Sequence, residues 1–150
     1  LARLRLNEVG FVFQAYNLLP VLTAMENAEF PMLLQGVGSS QRHERIRELF
    51  ERTGMAGLED RRPGKLSGGQ QQRVAVIRAV ASRPALVLAD EPTANLDTAS
   101  SEALLDVMLE LNQELGVTFV FATHDEQVME WSRRLVRMVD GAIDSDVTRS

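Results

Sequence analysis

The sequence contains no cysteine, which removes disulfide frameworks, thiolate metal sites and cysteine nucleophiles, and fits a reducing compartment. Long apolar runs are missing as well. The longest stretches, such as Ala85 to Ala89, fall far short of the about 20 residues that cross a bilayer. No basic-then-apolar segment opens the chain, so neither a membrane span nor an export signal is expected. Positive charge is in deficit: 16 basic residues face 21 acidic ones, for a formal charge of −5. The concentrated basic face that a nucleic-acid partner requires is therefore not expected. Only Lys65 among the basic residues is a lysine, so chemistry that demands a lysine has one candidate. The chain opens at Leu1 inside a Leu/Arg alternation, which reads as text from within a longer protein, and a fragment is expected. What is present, 150 residues at 45% hydrophobic and 25% charged, matches one globular unit or part of one and excludes disordered and fibrous classes.

Periodicity divides the chain. Val9 to Phe13 (VGFVF) is a short β-branched and aromatic run that suits a buried strand and stops at Gln14. Asn17 to Pro20 reads as a loop. Thr23 and Glu26 have capping-box spacing, and the helix they start should run towards Leu34, bent or broken around Pro31. After a flexible connector from Gly36 to Ser40, Gln41 to Arg52 reads as a charged helix with Ile46, Leu49 and Phe50 on one face. Ser67 and Gln70 form a second cap, followed by Val74, Ile77 and Ala81 at helical spacing until Arg83-Pro84. Ala85 to Ala89 (ALVLA), ending at Asp90-Glu91, has the pattern of a parallel strand covered on both faces. Leu104, Leu105, Met108, Leu111 and Leu115 make a helical stripe closed by Gly116. Val117 to Thr123 (VTFVFAT) reads as another buried strand, ending at His124-Asp125. Strand, helix, strand at this spacing is a βαβ unit, which brings Asp90, Glu91 and His124 to the carboxyl edge of one parallel sheet, where open α/β sheets bind ligands. Leu135 to Val139, Asp140-Gly141 and Ala142-Ile143 read as a hairpin. The fold class is α/β.

Three strings carry chemistry. In Leu66-Ser67-Gly68-Gly69-Gln70 two glycines open a helix, letting an anion approach backbone amides at the positive helix end. The string alone reads either as a phosphate cradle or as a capped helix that happens to carry two glycines. The apolar strand delivering Asp90 and Glu91 places one carboxylate to organise Mg²⁺ and the next beside a water; the other reading is a solvated acidic turn. Two adjacent carboxylates in a dry site repel each other, so the pair makes most sense with a cation between them. His124 is either a satisfied core histidine or, on that sheet edge, a contact for phosphate.

Taken together these strings resemble the nucleotide-binding domain of ABC ATPases. Leu66 to Gln70 is similar to the signature motif, Gln14 to the Q-loop glutamine, Ala85 to Glu91 to the Walker B strand with its catalytic glutamate, Ala94 to Asp97 to the D-loop, and His124 to the switch histidine. Phe13 to Pro20 with Leu22 to Asn27 further resembles the subgroup that serves lipoprotein release and macrolide export. The resemblance implies a partial P-loop NTPase fold, with a helical signature subdomain over about residues 15–82 and a RecA-like core from 1–14 and 83–150. It implies ATP and Mg²⁺ as cofactors and a head-to-tail dimer with a second ATP-binding subunit, a homodimer being expected. Ser67, Gly68 and Gly69 would hold the γ-phosphate across the interface, supported by Gln70, and Asp97 would couple the sites. Asp90 and Gln14 would organise Mg²⁺ and water, Glu91 would polarise the water, and His124 would contact the γ-phosphate. The stretch from Ala15 to Leu34, with Tyr16, Leu18, Leu19, Met25, Phe30 and Met32, would dock a transmembrane permease, or else form its own subdomain's core. Location would be cytoplasmic, peripheral on the inner membrane face.

The P-loop pattern Gly-x-x-x-x-Gly-Lys-Ser/Thr is not found: Lys65 is followed by Leu66, and Glu59 stands where the first glycine belongs. The adenine-stacking aromatic, upstream of the P-loop in the family, is missing with it, and Ile77 replaces a commonly small residue. The chain is thus read as the C-terminal part of an ABC ATPase, inactive alone, with two alternatives: a degenerate regulatory module, or a soluble non-transport ABC ATPase. On the resemblance, losing the P-loop strand also turns Val117 to Thr123 into a sheet edge.

Overall fold

The computed structural model describes residues 1–150, the side chains of residues 5 and 6 excepted. Three strands, β1 (Val9–Val12), β2 (Leu86–Asp90) and β3 (Thr118–Ala122), form a sheet in the order β1-β2-β3. Both pairings are parallel, with Val12 beside Ala89 and Ala89 beside Phe121. The expected βαβ unit is present, its crossover being α5 (Thr98–Leu115). Gly116 ends that helix at φ 69°, a left-handed conformation open to glycine because it has no Cβ.

The middle of the chain is helical. α2 (Ala24–Leu34) begins with the Thr23–Glu26 capping box, both reciprocal hydrogen bonds being made. Of the bend or break expected at Pro31, the break does not occur: the helix runs through the proline without interruption. Ala28 and Met32, on either side of the proline, are buried in the core, and that packing outweighs the one helical bond a proline forfeits. α3 (Ser39–Arg52) starts two residues before the expected Gln41, because the Arg42 N–H closes the first turn on the Gly38 carbonyl at 3.0 Å. A single 3₁₀ turn, Pro63–Lys65, leads to α4 (Gly68–Ala81). α4 packs against α2, α3, α5 and β1. Val74, Ile77, Val80 and Ala81 share one continuous core with Val12, Val87, Ile46, Phe50, Leu104 and Met108, so the large Ile77 side chain is accommodated at full burial.

Two helices went unforeseen. α1 (Ala2–Glu8) lies in the Leu/Arg alternation, which carries no 3.6-residue period and no side-chain cap. α6 (Glu126–Trp131) is too short for periodicity, although Asp125 caps it by accepting from the Gln127 N–H at 2.9 Å. The expected hairpin is β4 (Arg134–Val139) with β5 (Ala142–Thr148), turned by Asp140 at φ 49° and Gly141 at φ 78°, the paired positive values that two-residue hairpins favour.

Burial of the sheet differs from expectation. Val87 and Ala89 of β2 are buried, but Leu88 on the opposite face is 37% exposed, so β2 is covered on one face rather than two. In β3 the inward Phe119 and Phe121 pack against the core, whereas Val120 is 48% exposed. β1 and β3 are the two edge strands of this sheet.

Candidate functional site

β2 delivers Asp90 to the carboxyl edge of the sheet, and the chain then leaves through Glu91 at φ 45°. That left-handed backbone costs a non-glycine residue about 1–3 kcal/mol, and the following Pro92 disfavours helical conformations further. The Glu91 N–H donates to the Ala122 carbonyl at 2.9 Å, joining the turn to the end of β3. The Glu91 carboxylate is held at three points: Oε2 accepts from the Thr123 hydroxyl at 3.1 Å, Oε1 accepts from the His124 N–H at 3.0 Å, and His124 Nδ1 lies 2.6 Å from the same Oε1. Glu91's side chain is 19% accessible and that of His124 90%. A recessed carboxylate therefore supports an imidazole that stands in solvent. Asp90 is exposed beside them.

Gln14 lies two residues beyond β1, and the Val12–Ala89 pairing brings it level with Glu91. Its side chain is exposed, while its carbonyl accepts from Asn95 Nδ2 at 3.0 Å. Asp90, Glu91 and His124 thus share one sheet edge, as expected, and Gln14 lies on the same edge.

Ser67, Gly68, Gly69 and Gln70 form the first turn of α4. The Ser67 hydroxyl accepts from the Gln70 N–H at 3.2 Å and Gln70 Oε1 accepts from the Ser67 N–H at 2.9 Å. The amides of Gly68 and Gly69 belong to the turn whose N–H groups have no intrahelical acceptor. A Cβ on Gly68 would lie 2.8 Å from the Tyr16 hydroxyl, and one on Gly69 would meet Ser100 at 3.4 Å. Ser100 in turn is bound by Asp97, which caps α5: Oδ1 accepts the Ser100 N–H at 2.8 Å and Oδ2 the Ser100 hydroxyl at 3.0 Å. The structure therefore brings the Ser67–Gln70 turn together with Asp97. Among the described residues no hydrogen bond joins that turn to Glu91 or His124.

The Ser100 backbone N–H, and then its hydroxyl, hold the Asp97 carboxyl below its ordinary value. A depressed folded pKa means stability that is present above the unfolded value and lost as pH falls through the folded one. Asp97→Ala is accordingly expected to lower Tm at neutral pH. The gap to wild type should close on acidification below the ordinary aspartate range; thermal melts across acid pH check this, and a constant gap would contradict it.

Several residues at the site escaped the sequence reading. Arg78 donates to the Tyr16 and Asn17 carbonyls at 3.0 and 2.7 Å, and burial lowers its pKa. Gln72 donates to the Phe13 and Pro92 carbonyls. Three consecutive glutamines point in three directions on a helix, and the buried stripe Ala75, Val76 and Ala79, projected back one turn, was the available signal for Gln72.

Among the described residues no group of three or more His, Asp or Glu could hold a metal. Asp90 supplies one exposed carboxylate and Gln14 an amide oxygen. Such a sparse hard-oxygen set fits Mg²⁺, which keeps waters and takes substrate phosphate oxygens rather than a protein cage.

An acidic pair at the carboxyl edge of a parallel sheet stands where open α/β sheets bind ligands. The chain belongs to the ABC transporter family, whose sequence profile matches residues 2–94. It is 48% identical over 144 residues to an uncharacterized ABC transporter ATP-binding protein of Thermotoga maritima, covering 96% of this chain and 61% of that protein. It is also 48% identical over 147 residues to the macrolide export ATP-binding/permease protein MacB of Syntrophobacter fumaroxidans, covering 97% of this chain and 21% of the relative. The dimeric post-hydrolysis structure of the ATP-binding cassette MJ0796, bound to ADP and Pi, superposes with a TM-score of 0.83 at 36% identity, over 98% of this chain and 65% of that one. The chain spans less than two thirds of the length of these relatives. Its family and α/β cassette fold are those the motifs implied.

Proposed function

We propose that this chain forms most of an ATP-binding subunit that powers an ABC transporter by hydrolysing Mg-ATP in a head-to-tail dimer. The observation that carries this reading is the Glu91 carboxylate, recessed and held by Thr123 and His124 at the sheet edge beside Asp90. An ion at Asp90 would supply charge neutralisation on the phosphates, with Gln14 as a further oxygen donor. Glu91 orients and deprotonates the attacking water, and His124, open to solvent, reaches the terminal phosphate. Ser67, Gly68 and Gly69 present amides to the γ-phosphate of a nucleotide held by a second copy, Gln70 fixes their turn, and Asp97 links that turn to α5.

Residues 15–82 serve as the helical signature subdomain, and 1–14 with 83–150 as the nucleotide-facing core. The P-loop pattern occurs nowhere in the 150 residues, so the β/γ-phosphate cradle lies outside them, and these residues alone are not expected to hold Mg-ATP tightly. A transmembrane permease docks along Ala15 to Leu34, where Leu19, Val21, Phe30, Leu33 and Leu34 are exposed. Met32 is taken up by the core, so it does not serve that surface, while Leu18 and Met25 are half-buried, packed against the core. The subunit sits on the cytoplasmic face, held by the permease; among the described residues no helix is long and apolar enough to cross a membrane itself.

The test is a pair of variants in the full-length protein. Asp90→Asn should weaken Mg-ATP binding, whereas Glu91→Gln should keep binding and lose turnover. Identical phenotypes, measured by calorimetry and phosphate release, would overturn the assignment.

A further inference from the structure

Gln72 is fully buried in the second turn of α4. Its Nε2 donates to the Pro92 carbonyl at 2.6 Å and to the Phe13 carbonyl at 3.1 Å. Two facing carbonyls fix the amide's orientation, because only its NH₂ end can meet them. Oε1 is left buried with no hydrogen-bond partner. A buried acceptor without a partner is unfavourable, so the contribution of Gln72 lies in what its two donors hold.

What they hold are the residues flanking the proposed chemistry. Phe13 immediately precedes Gln14, and Pro92 immediately follows Glu91. Glu91 keeps its left-handed backbone only while both sides of the turn are restrained. Upstream, its N–H is bound to Ala122; downstream, Gln72 holds Pro92. Asn95 grips the Gln14 carbonyl beside the same point. The amide thus connects α4, which begins at Ser67, to the ends of both β1 and β2.

We propose that Gln72 is a positioning residue for hydrolysis, clamping Phe13 and Pro92 so that Gln14 and Glu91 address the same phosphate. The proposal rests on Glu91 being the water-orienting group. Without the clamp, Glu91 relaxes towards an ordinary backbone conformation and its carboxylate moves from the water.

The test is Gln72→Met in the full-length protein, which keeps side-chain length and removes both donors. With rates normalised to titrated Mg-ADP sites, so that misfolded protein does not count, kcat should fall about 10- to 100-fold, the scale expected for a displacement of about 1 Å. KM for Mg-ATP should stay within about twofold, since nucleotide binding is not what the clamp serves. Wild-type kcat per site, or a loss carried by KM alone, overturns the proposal. Where Gln72→Met does not fold, Gln72→His, which retains one N–H for one carbonyl, decides: a kcat loss at unchanged KM supports the clamp, and wild-type kcat refutes it. Full hydrolysis by Glu91→Gln would instead remove the underlying reading, so the two failures are distinct.

Discussion

Glu91→Gln in the full-length protein is expected to cut ATP turnover by about 10²- to 10⁴-fold, the range contributed by a positioned general base. The fold should survive the change. Glutamine is isosteric, and its remaining oxygen can still accept from Thr123 or from the His124 N–H, the groups that hold Glu91 now. The amide cannot take a proton from water, however, and its NH₂ faces donors where the carboxylate faced them as an acceptor. Losing one such hydrogen bond to a charged group costs about 1.5–3 kcal/mol of stability. The measurement is phosphate release in a single turnover alongside Mg-ATP binding. Hydrolysis at the wild-type rate would take Glu91 out of the chemistry.

The largest expected effect on stability falls at Gly10. This residue lies in β1, and a Cβ there would collide with the Ala79 carbonyl oxygen of α4 and sit 3.1 Å from Val87 Cγ2 of β2. The first obstacle is main chain and cannot rotate away. Gly10→Ala must therefore push α4 from the sheet, and overpacking of that kind costs about 1–3 kcal/mol, occasionally more. Because α4 carries the Ser67–Gln70 turn at one end and Gln72 one turn later, the shift should also lower kcat. Denaturant unfolding checks the prediction, and an unchanged midpoint would contradict the close approach of α4 and β1.

Much of the fold was legible because several signals were local. The Thr23–Glu26 and Ser67–Gln70 boxes announce helices that the structure starts at the expected places, and Gly116 and Asp140-Gly141 mark a helix end and a hairpin turn. The Asp90, Glu91 and His124 grouping followed from one rule, that a βαβ crossover makes its two strands parallel. What failed was what depends on partners distant in sequence. Pro31 reads as bending or breaking its helix, yet the packing of Ala28 and Met32 keeps the helix unbroken. Apolar runs say nothing about how many faces of β2 and β3 find cover. Arg78 and Asn95 act on main-chain carbonyls 61 to 81 residues away, and no spacing rule announces such a partner; helical spacing marks Gln72 as buried but not the carbonyls it holds.

In the proposed dimer the Ser67–Gly69 amides act on a nucleotide held by a second copy of the protein. Sedimentation of the full-length Glu91→Gln protein, with and without Ser67→Arg, tests it most directly. A dimer in Mg-ATP, a monomer in Mg-ADP, and a return to monomer in Mg-ATP when Ser67→Arg is added are the predicted results. A protein that stays monomeric in saturating Mg-ATP, or a dimer indifferent to Ser67→Arg, would show that these amides do not act across a dimer interface.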